Sequence, residues 1–153
     1  MLKFRLMGIP VVVDWWFWLT GVLLGGGINA RGPEDWMEVA VWCLVMFVSV
    51  LVHELGHALA ARRYGVQPGI QLHGFGGATF LPGARFTRSQ SIMVSAAGPL
   101  AGLALAVAAL VVARALPENS IPPIGWLAIR FTLFIGFVWT ALNLLPIQPI
   151  EGG

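Results

Sequence analysis

Long apolar runs alternate with short polar connections along this chain, and four of the runs reach membrane-spanning length. They extend from about Val11 to Ala30, Trp36 to Ala60, Ser91 to Leu116 and Ile124 to Leu145. A helix needs roughly 20 residues to cross about 30 Å of hydrocarbon, so each run predicts a transmembrane helix. The connection Arg31 to Asp35, with Gly32-Pro33 as breaker, is short. So is the connection Pro117 to Pro123, and both force antiparallel neighbours. The first run is long, Trp-rich and followed directly by another, which predicts a span and not a cleaved signal peptide. Residues 66 to 80 break the pattern. They contain Pro68, Gly69, Gly74, Gly76 and Gly77, with Ile70 and Leu72 alternating around Gln71, and they predict a short irregular strand or hairpin. The expected fold is an all-α membrane protein. It has about four transmembrane helices and a short Gly-rich β segment between spans 2 and 3, in a single membrane-embedded core over residues 1–153.

Composition agrees with a membrane protein. The 153 residues are 58% hydrophobic and 10% charged, against roughly 45–50% and about 25% in soluble domains; the mean hydropathy is +0.81. The lipid bilayer is therefore an expected partner. The net charge of +2 is small and the basic residues are scattered, so nucleic acid is not an expected partner. Their distribution does carry orientation. Lys3, Arg5, Arg62, Arg63, Arg85 and Arg88 fall on one side of the predicted membrane, and Arg31 and Arg114 on the other. The positive-inside rule puts the amino terminus and the 61–90 connection in the cytoplasm of a multi-pass protein. Trp15, Trp16, Trp18, Trp36 and Trp126 lie near span ends, as an interfacial belt requires, whereas Trp42 and Trp139 sit deeper. Cys43 is the only cysteine; it permits no intramolecular disulfide and reads as a small buried hydrophobe.

One stretch of span 2 is not apolar. His53-Glu54-Leu55-Gly56-His57 places two imidazoles one helical turn apart with a carboxylate between them. Both histidines can bind one zinc ion, and the glutamate can act as general base on the metal-bound water. Ionisable side chains at membrane depth are costly and mark function. The motif lies at the span end that meets residues 61–90, so the site is expected near the cytoplasmic face, facing the active end of the molecule toward that compartment. A catalytic zinc site needs a third protein ligand and an open position. Of the seven acidic residues, Glu34, Asp35, Glu38 and Glu118 fall on the far side, and Asp14 flanks span 1. Glu151, just past span 4, is on the same side as the motif and is the candidate third ligand. Gly98 and Gly102 form a GxxxG pair that predicts close helix packing by span 3. His73 reads as a loop histidine.

The HELGH motif in a span, followed by Asn143-Leu144-Leu145-Pro146-Ile147-Gln148-Pro149-Ile150-Glu151-Gly152-Gly153, resembles the site-2 protease family of intramembrane zinc metalloproteases. Met7-Gly8-Ile9-Pro10-Val11 resembles that family's amino-terminal strand. Phe75-Gly76-Gly77 resembles its Gly-rich β segment, and Ala96-Ala97-Gly98-Pro99-Leu100 its third-span signature. The likeness spans essentially the whole chain. The family's second motif is an Asn, a Pro and an Asp-Gly pair whose Asp is a zinc ligand. Glu151 stands where the Asp would be and reaches about one methylene farther. Because the sequence ends directly after this motif, the expectation is a compact form truncated there.

The resemblance implies one zinc per chain, held by His53, His57 and Glu151. It implies Glu54 as the base that moves the water proton to the leaving amine, and Asn143 as an oxyanion donor or substrate positioner. Gly76 and Gly77 are candidate substrate-binding residues, on an edge able to pair with an extended segment. The substrates implied are transmembrane segments of other membrane proteins, cut in regulated intramembrane proteolysis. Two alternatives differ in class. One is a catalytically inactive relative that binds transmembrane segments as an adaptor, against which an intact Glu54 argues. The other is a metal carrier, which predicts more buried polar residues along a path than spans 1 and 3 contain.

Overall fold

The computed structural model describes residues 1–144. It begins with two strands, β1 (Leu2–Leu6) and β2 (Ile9–Val13), followed by helix α1 (Trp15–Leu24). The long helix α2 (Pro33–Arg63) leads to strands β3 (Gly69–His73) and β4 (Gly76–Phe80). Helices α3 (Arg88–Ala115) and α4 (Pro123–Leu144) complete the fold, and single 3-10 turns precede α2 and α4.

Helices α2, α3 and α4 are long and apolar enough to cross a membrane. The run 11–30 is not one span, as its hydropathy predicts, but a strand and a ten-residue helix. Two features of the sequence divide it. Ile9, Val11 and Val13 alternate with Pro10 and Val12, and all three are buried, so this part follows the period of a strand. Farther on, Gly25-Gly26-Gly27 ends α1, with Gly26 in the left-handed region at φ 91°.

The chain is mostly helical, but the β structure is larger than the Gly-rich segment alone. The four strands form one sheet in the order β1-β2-β3-β4. β1 and β2 are a hairpin closed by Met7 and Gly8, both at positive φ, the conformation a two-residue type I′ turn demands. Arg62 donates to the Met7 carbonyl, tying this turn to the end of α2. β2 and β3 pair in parallel, Val11 opposite Ile70 and Val13 opposite Leu72. β3 and β4 form the second hairpin. Among the described residues β4 is the edge strand of the sheet on this side.

α2 is the centre of the molecule. Half of its most apolar stretch is buried, against 17% for α3 and α4, which spread Leu100, Val111, Phe134 and other apolar side chains outward as a lipid-facing surface requires. Its ends are chemically defined. Pro33 opens it, Glu34 and Asp35 lie in the first turn, and Arg62 and Arg63 in the last, matching the helix dipole. At 1.5 Å per residue its 31 residues extend about 46 Å, longer than the hydrocarbon layer. The core joins Val45, Met46, Val50, Leu51 and Leu55 of α2 to Phe17 and to the inner faces of β2 and β3.

α3 starts from a capping box in which the Thr87 hydroxyl accepts from the Gln90 amide and the Gln90 side chain accepts from the Thr87 amide. It then lies so close to α2 that a Cβ on Gly56 would stand 2.3 Å from the Ala97 carbonyl oxygen. Backbone cannot yield there. Gly56→Ala is therefore expected to destabilise the fold by about 1–3 kcal/mol. Thermal unfolding in detergent checks this, with Gly65→Ala as a comparison whose cost comes only from its positive φ.

Candidate active site

Three consecutive-turn residues of α2 bring the polar chemistry together. His53, Glu54 and His57 are 1%, 3% and 6% exposed, in a helix otherwise apolar at this depth. The i, i+4 spacing puts both imidazoles on one face, with ring centroids 4.9 Å apart. The motif lies about 8–15 Å along the helix axis from Arg62 and Arg63.

The two rings are oriented toward each other. His57 Nδ1 is 2.7 Å from the Val94 carbonyl oxygen. A carbonyl can only accept, so Nδ1 carries the proton and Nε2 keeps its lone pair. That Nε2 is 3.2 Å from Nε2 of His53. Two nitrogens each about 2.0–2.1 Å from a tetrahedral zinc stand about 3.3–3.4 Å apart, so the pair is spaced to share one ion. The Val94 carbonyl is the partner that such a ligand ordinarily finds for its other ring nitrogen.

α3 leaves room for this arrangement. A Cβ on Gly98 would fall 2.2 Å from His57 Nε2, the atom that faces His53. Gly102, one turn on, comes 3.9 Å from His53 Nδ1. The GxxxG pair thus does more than pack helix on helix: its first glycine is the gap in which the His57 ring sits.

β4 closes the other side. The Thr79 hydroxyl is 2.6 Å from Glu54 Oε2 and 3.2 Å from the Glu54 carbonyl oxygen. A Cβ on Gly77 would meet Glu54 Cγ at 2.6 Å and Oε1 at 2.7 Å. Gly76 abuts the Trp139 ring, whose edge also approaches His53 at a centroid distance of 6.4 Å. Beyond Gly76 an apolar cavity of about 610 Å³ opens between α1, α2, α4 and the β3–β4 hairpin, walled by Phe17, Trp42, Phe134 and Trp139.

The predicted residues divide accordingly. His53, Glu54 and His57 converge, and Gly76 and Gly77 border them. His73 is turned to its own hairpin, where Nδ1 accepts from the Phe75 amide at 3.1 Å. Asp14 lies at the start of α1 and accepts from Gln71. Asn143 falls in the last turn of α4, and Glu151 lies outside the described residues. Among the described residues no third His, Cys, Asp or Glu joins the histidine pair. Sequence reasoning passed over Thr79, Val94 and Trp139. Val94 acts through its backbone and leaves no side-chain signature. Thr79 has one only in its i+2 relation to Gly77 on a strand.

Comparison with known proteins follows this geometry. The sequence profile of peptidase family M50 matches residues 41–121, which hold HELGH, β3, β4 and all of α3. The chain belongs to peptidase family M50. A zinc metalloprotease of Methanocaldococcus jannaschii is 30% identical over 152 residues, covering 98% of this chain and 42% of that protein. A candidate zinc metalloprotease of Synechocystis sp. is 33% identical, covering 97% of this chain and 41% of the relative. The chain thus spans about two fifths of the length of these relatives. The solved structure of the site-2 protease from Methanocaldococcus jannaschii superposes with a TM-score of 0.68 at 28% identity, covering 99% of this chain and 68% of that one. The site-2 protease resemblance holds at the level of sequence and fold.

In this M50 chain the glycines of α3 separate two kinds of cost. Gly98→Ala is expected to displace the His57 ring and abolish stoichiometric zinc binding, whereas Gly102→Ala, in ordinary contact distance, retains it. Metal analysis of the purified variants decides between them.

Proposed function

We propose that this chain carries the catalytic core of an intramembrane zinc metalloprotease that hydrolyses peptide bonds in transmembrane segments of other membrane proteins. The observation that carries this reading is the pair of Nε2 atoms 3.2 Å apart, buried in a membrane-length helix beside the Glu54 carboxylate and the free edge of β4. The zinc use and protease activity named for its relatives support it.

His53 and His57 would hold the ion as neutral imidazoles, and Glu151 would complete the protein ligands. Bound zinc would polarise a scissile carbonyl and lower the pKa of water to roughly 7. Glu54 takes the proton of the attacking water and delivers it to the departing amine. Asn143, at the end of α4, donates to the developing oxyanion or positions the substrate. A helical substrate hides its carbonyls in its own hydrogen bonds, so it must unwind before attack. In lipid each unsatisfied backbone group costs several kcal/mol. The free edge of β4, beginning at Gly76 and Gly77, offers replacement bonds to the extended segment. The excess of basic residues at the Arg62–Arg63 end supports an orientation with the amino terminus and the site on the cytoplasmic side.

The test begins with metal content of the detergent-purified protein. About one zinc per chain is expected, lost or weakened in Glu151→Ala. Absence of zinc from the parent would overturn the metalloprotease reading. Glu54→Gln should retain zinc and lose cleavage of a membrane-protein substrate by a factor of at least about 100; equal cleavage by mutant and parent would remove Glu54 from the mechanism. Glu151→Asp should retain zinc and retain or raise activity, because the shorter carboxylate is the family's usual residue.

A further inference from the structure

Glu54 is held from outside its own helix. Its side chain leaves α2 toward β4, where positions 77 and 79 lie on the same face of the strand because side chains alternate. Position 77 has no Cβ, and only this lets Cγ, Cδ and Oε1 lie against the strand. Position 79 supplies the hydroxyl. At 2.6 Å from Oε2 this contact is a short O–H···O hydrogen bond, within the usual range of about 2.5–3.0 Å. The Glu54 carbonyl, 3.2 Å away, is the weaker acceptor for the single hydroxyl proton. Thr79 is itself fixed: it pairs with Ile70 across β3–β4, and Ile70 is buried in the core.

We infer that Thr79 is a positioning residue for the reaction: its hydroxyl holds Glu54 Oε2 and leaves Oε1 as the oxygen that exchanges the proton with water. The inference rests on the proteolytic reading of Glu54. It assigns β4 two tasks, since the strand whose outer edge is free to pair with a substrate also holds the base. A glutamate with three free side-chain torsions would sample several rotamers and spend only part of its time aligned with the attacking water. The hydroxyl selects one rotamer, and alignment within the reach of a hydrogen bond is what general-base catalysis depends on. Among the described residues the Thr79 hydroxyl bonds only to Glu54, so its removal is expected to affect the rate of the chemical step and not the retention of zinc.

The test compares the parent with Thr79→Val, which keeps the shape and removes the donor, and Thr79→Ser, which keeps the donor. Cleavage of fluorescein-labelled casein in detergent is measured beside zinc content. Thr79→Val should keep one zinc per chain, lower kcat roughly tenfold and leave KM within about twofold; Thr79→Ser should restore most of the loss. A Thr79→Val enzyme with the parent's kcat would overturn the inference. So would a parallel fall of kcat and zinc, or failure of Thr79→Ser to recover. A second readout needs no activity. The loss of melting temperature caused by Thr79→Val, roughly 2–4 °C, should shrink in a Glu54→Ala background because the principal acceptor is already gone. An equal loss in both backgrounds would show that Thr79 only ties β4 to the α2 backbone, and would overturn the clamp. A parent that holds zinc yet cleaves nothing would count against the proteolytic reading alone, and the clamp would then be decided by the melting temperatures.

Discussion

Burying His53, Glu54 and His57 on one apolar helix is the constraint on which the surrounding structure depends. Polar side chains removed from water need partners or they cost more than the fold can bear. Glu54 and His57 acquire their settings from other elements, and the two rings from each other. Val94 of α3 takes the Nδ1 proton of His57, Thr79 of β4 takes Glu54 Oε2, and His53 and His57 face each other. Three glycines, Gly56, Gly77 and Gly98, stand where any side chain would collide with this arrangement. Their placement explains why α3 and β4 can approach α2 so closely.

The sheet follows from the same constraint. Backbone without regular hydrogen bonds is tolerated at membrane depth only where protein surrounds it or water reaches it. β4 borders the site, so its inner edge must be paired. β3 pairs it, β2 pairs β3, and β1 pairs β2. The sequence segments that build this sheet are far apart, and the parallel β2–β3 pairing is bridged by α1 and α2. The first apolar run is consumed in the process: its beginning is drawn into β2, which leaves only ten residues for α1. A hydropathy average over residues 11–30 reads the whole run as a span because it counts apolar content and is blind to the period-2 burial of Ile9, Val11 and Val13. Val11 and Val13 pair on one side with Phe4 and Leu2 of the adjacent strand and on the other with Ile70 and Leu72, some 60 residues away, and it is this second pairing that no local signal reveals.

What was legible in the sequence is what acts locally. The i, i+4 histidines, the intervening glutamate, the capping ends of α2 and the Gly-rich hairpin are written in short stretches and appear where the spacing predicts. The GxxxG pair of α3 was legible as close packing, but its object was not, since nothing in Gly98 itself names His57 as the ring that fills the gap. Orienting contacts were the least legible. A backbone carbonyl such as that of Val94 has no identity in sequence, and a threonine on a strand is among the commonest of residues. Such contacts become visible only once α3 and β4 are set against α2.

This division has a consequence for how the site tolerates change. The two histidines and the glutamate of the motif reside on one rigid helix, so the relative positions of His53, Glu54 and His57 are fixed by helix geometry and survive small movements of their surroundings. Their orientations are not. The His57 ring and the Glu54 carboxylate take their rotamers from neighbours on other elements, and those neighbours depend on the seating of α3 and of the sheet. A substitution in α3 or β4 can therefore alter the chemistry without removing any residue that performs it, by turning a ring or releasing a carboxylate by a single torsion. Near-30% identity to relatives over almost the whole chain is compatible with this: the lipid-facing surfaces need only remain apolar, whereas at Gly56, Gly77 and Gly98 an added Cβ would fall within 2.2–2.6 Å of a neighbouring atom.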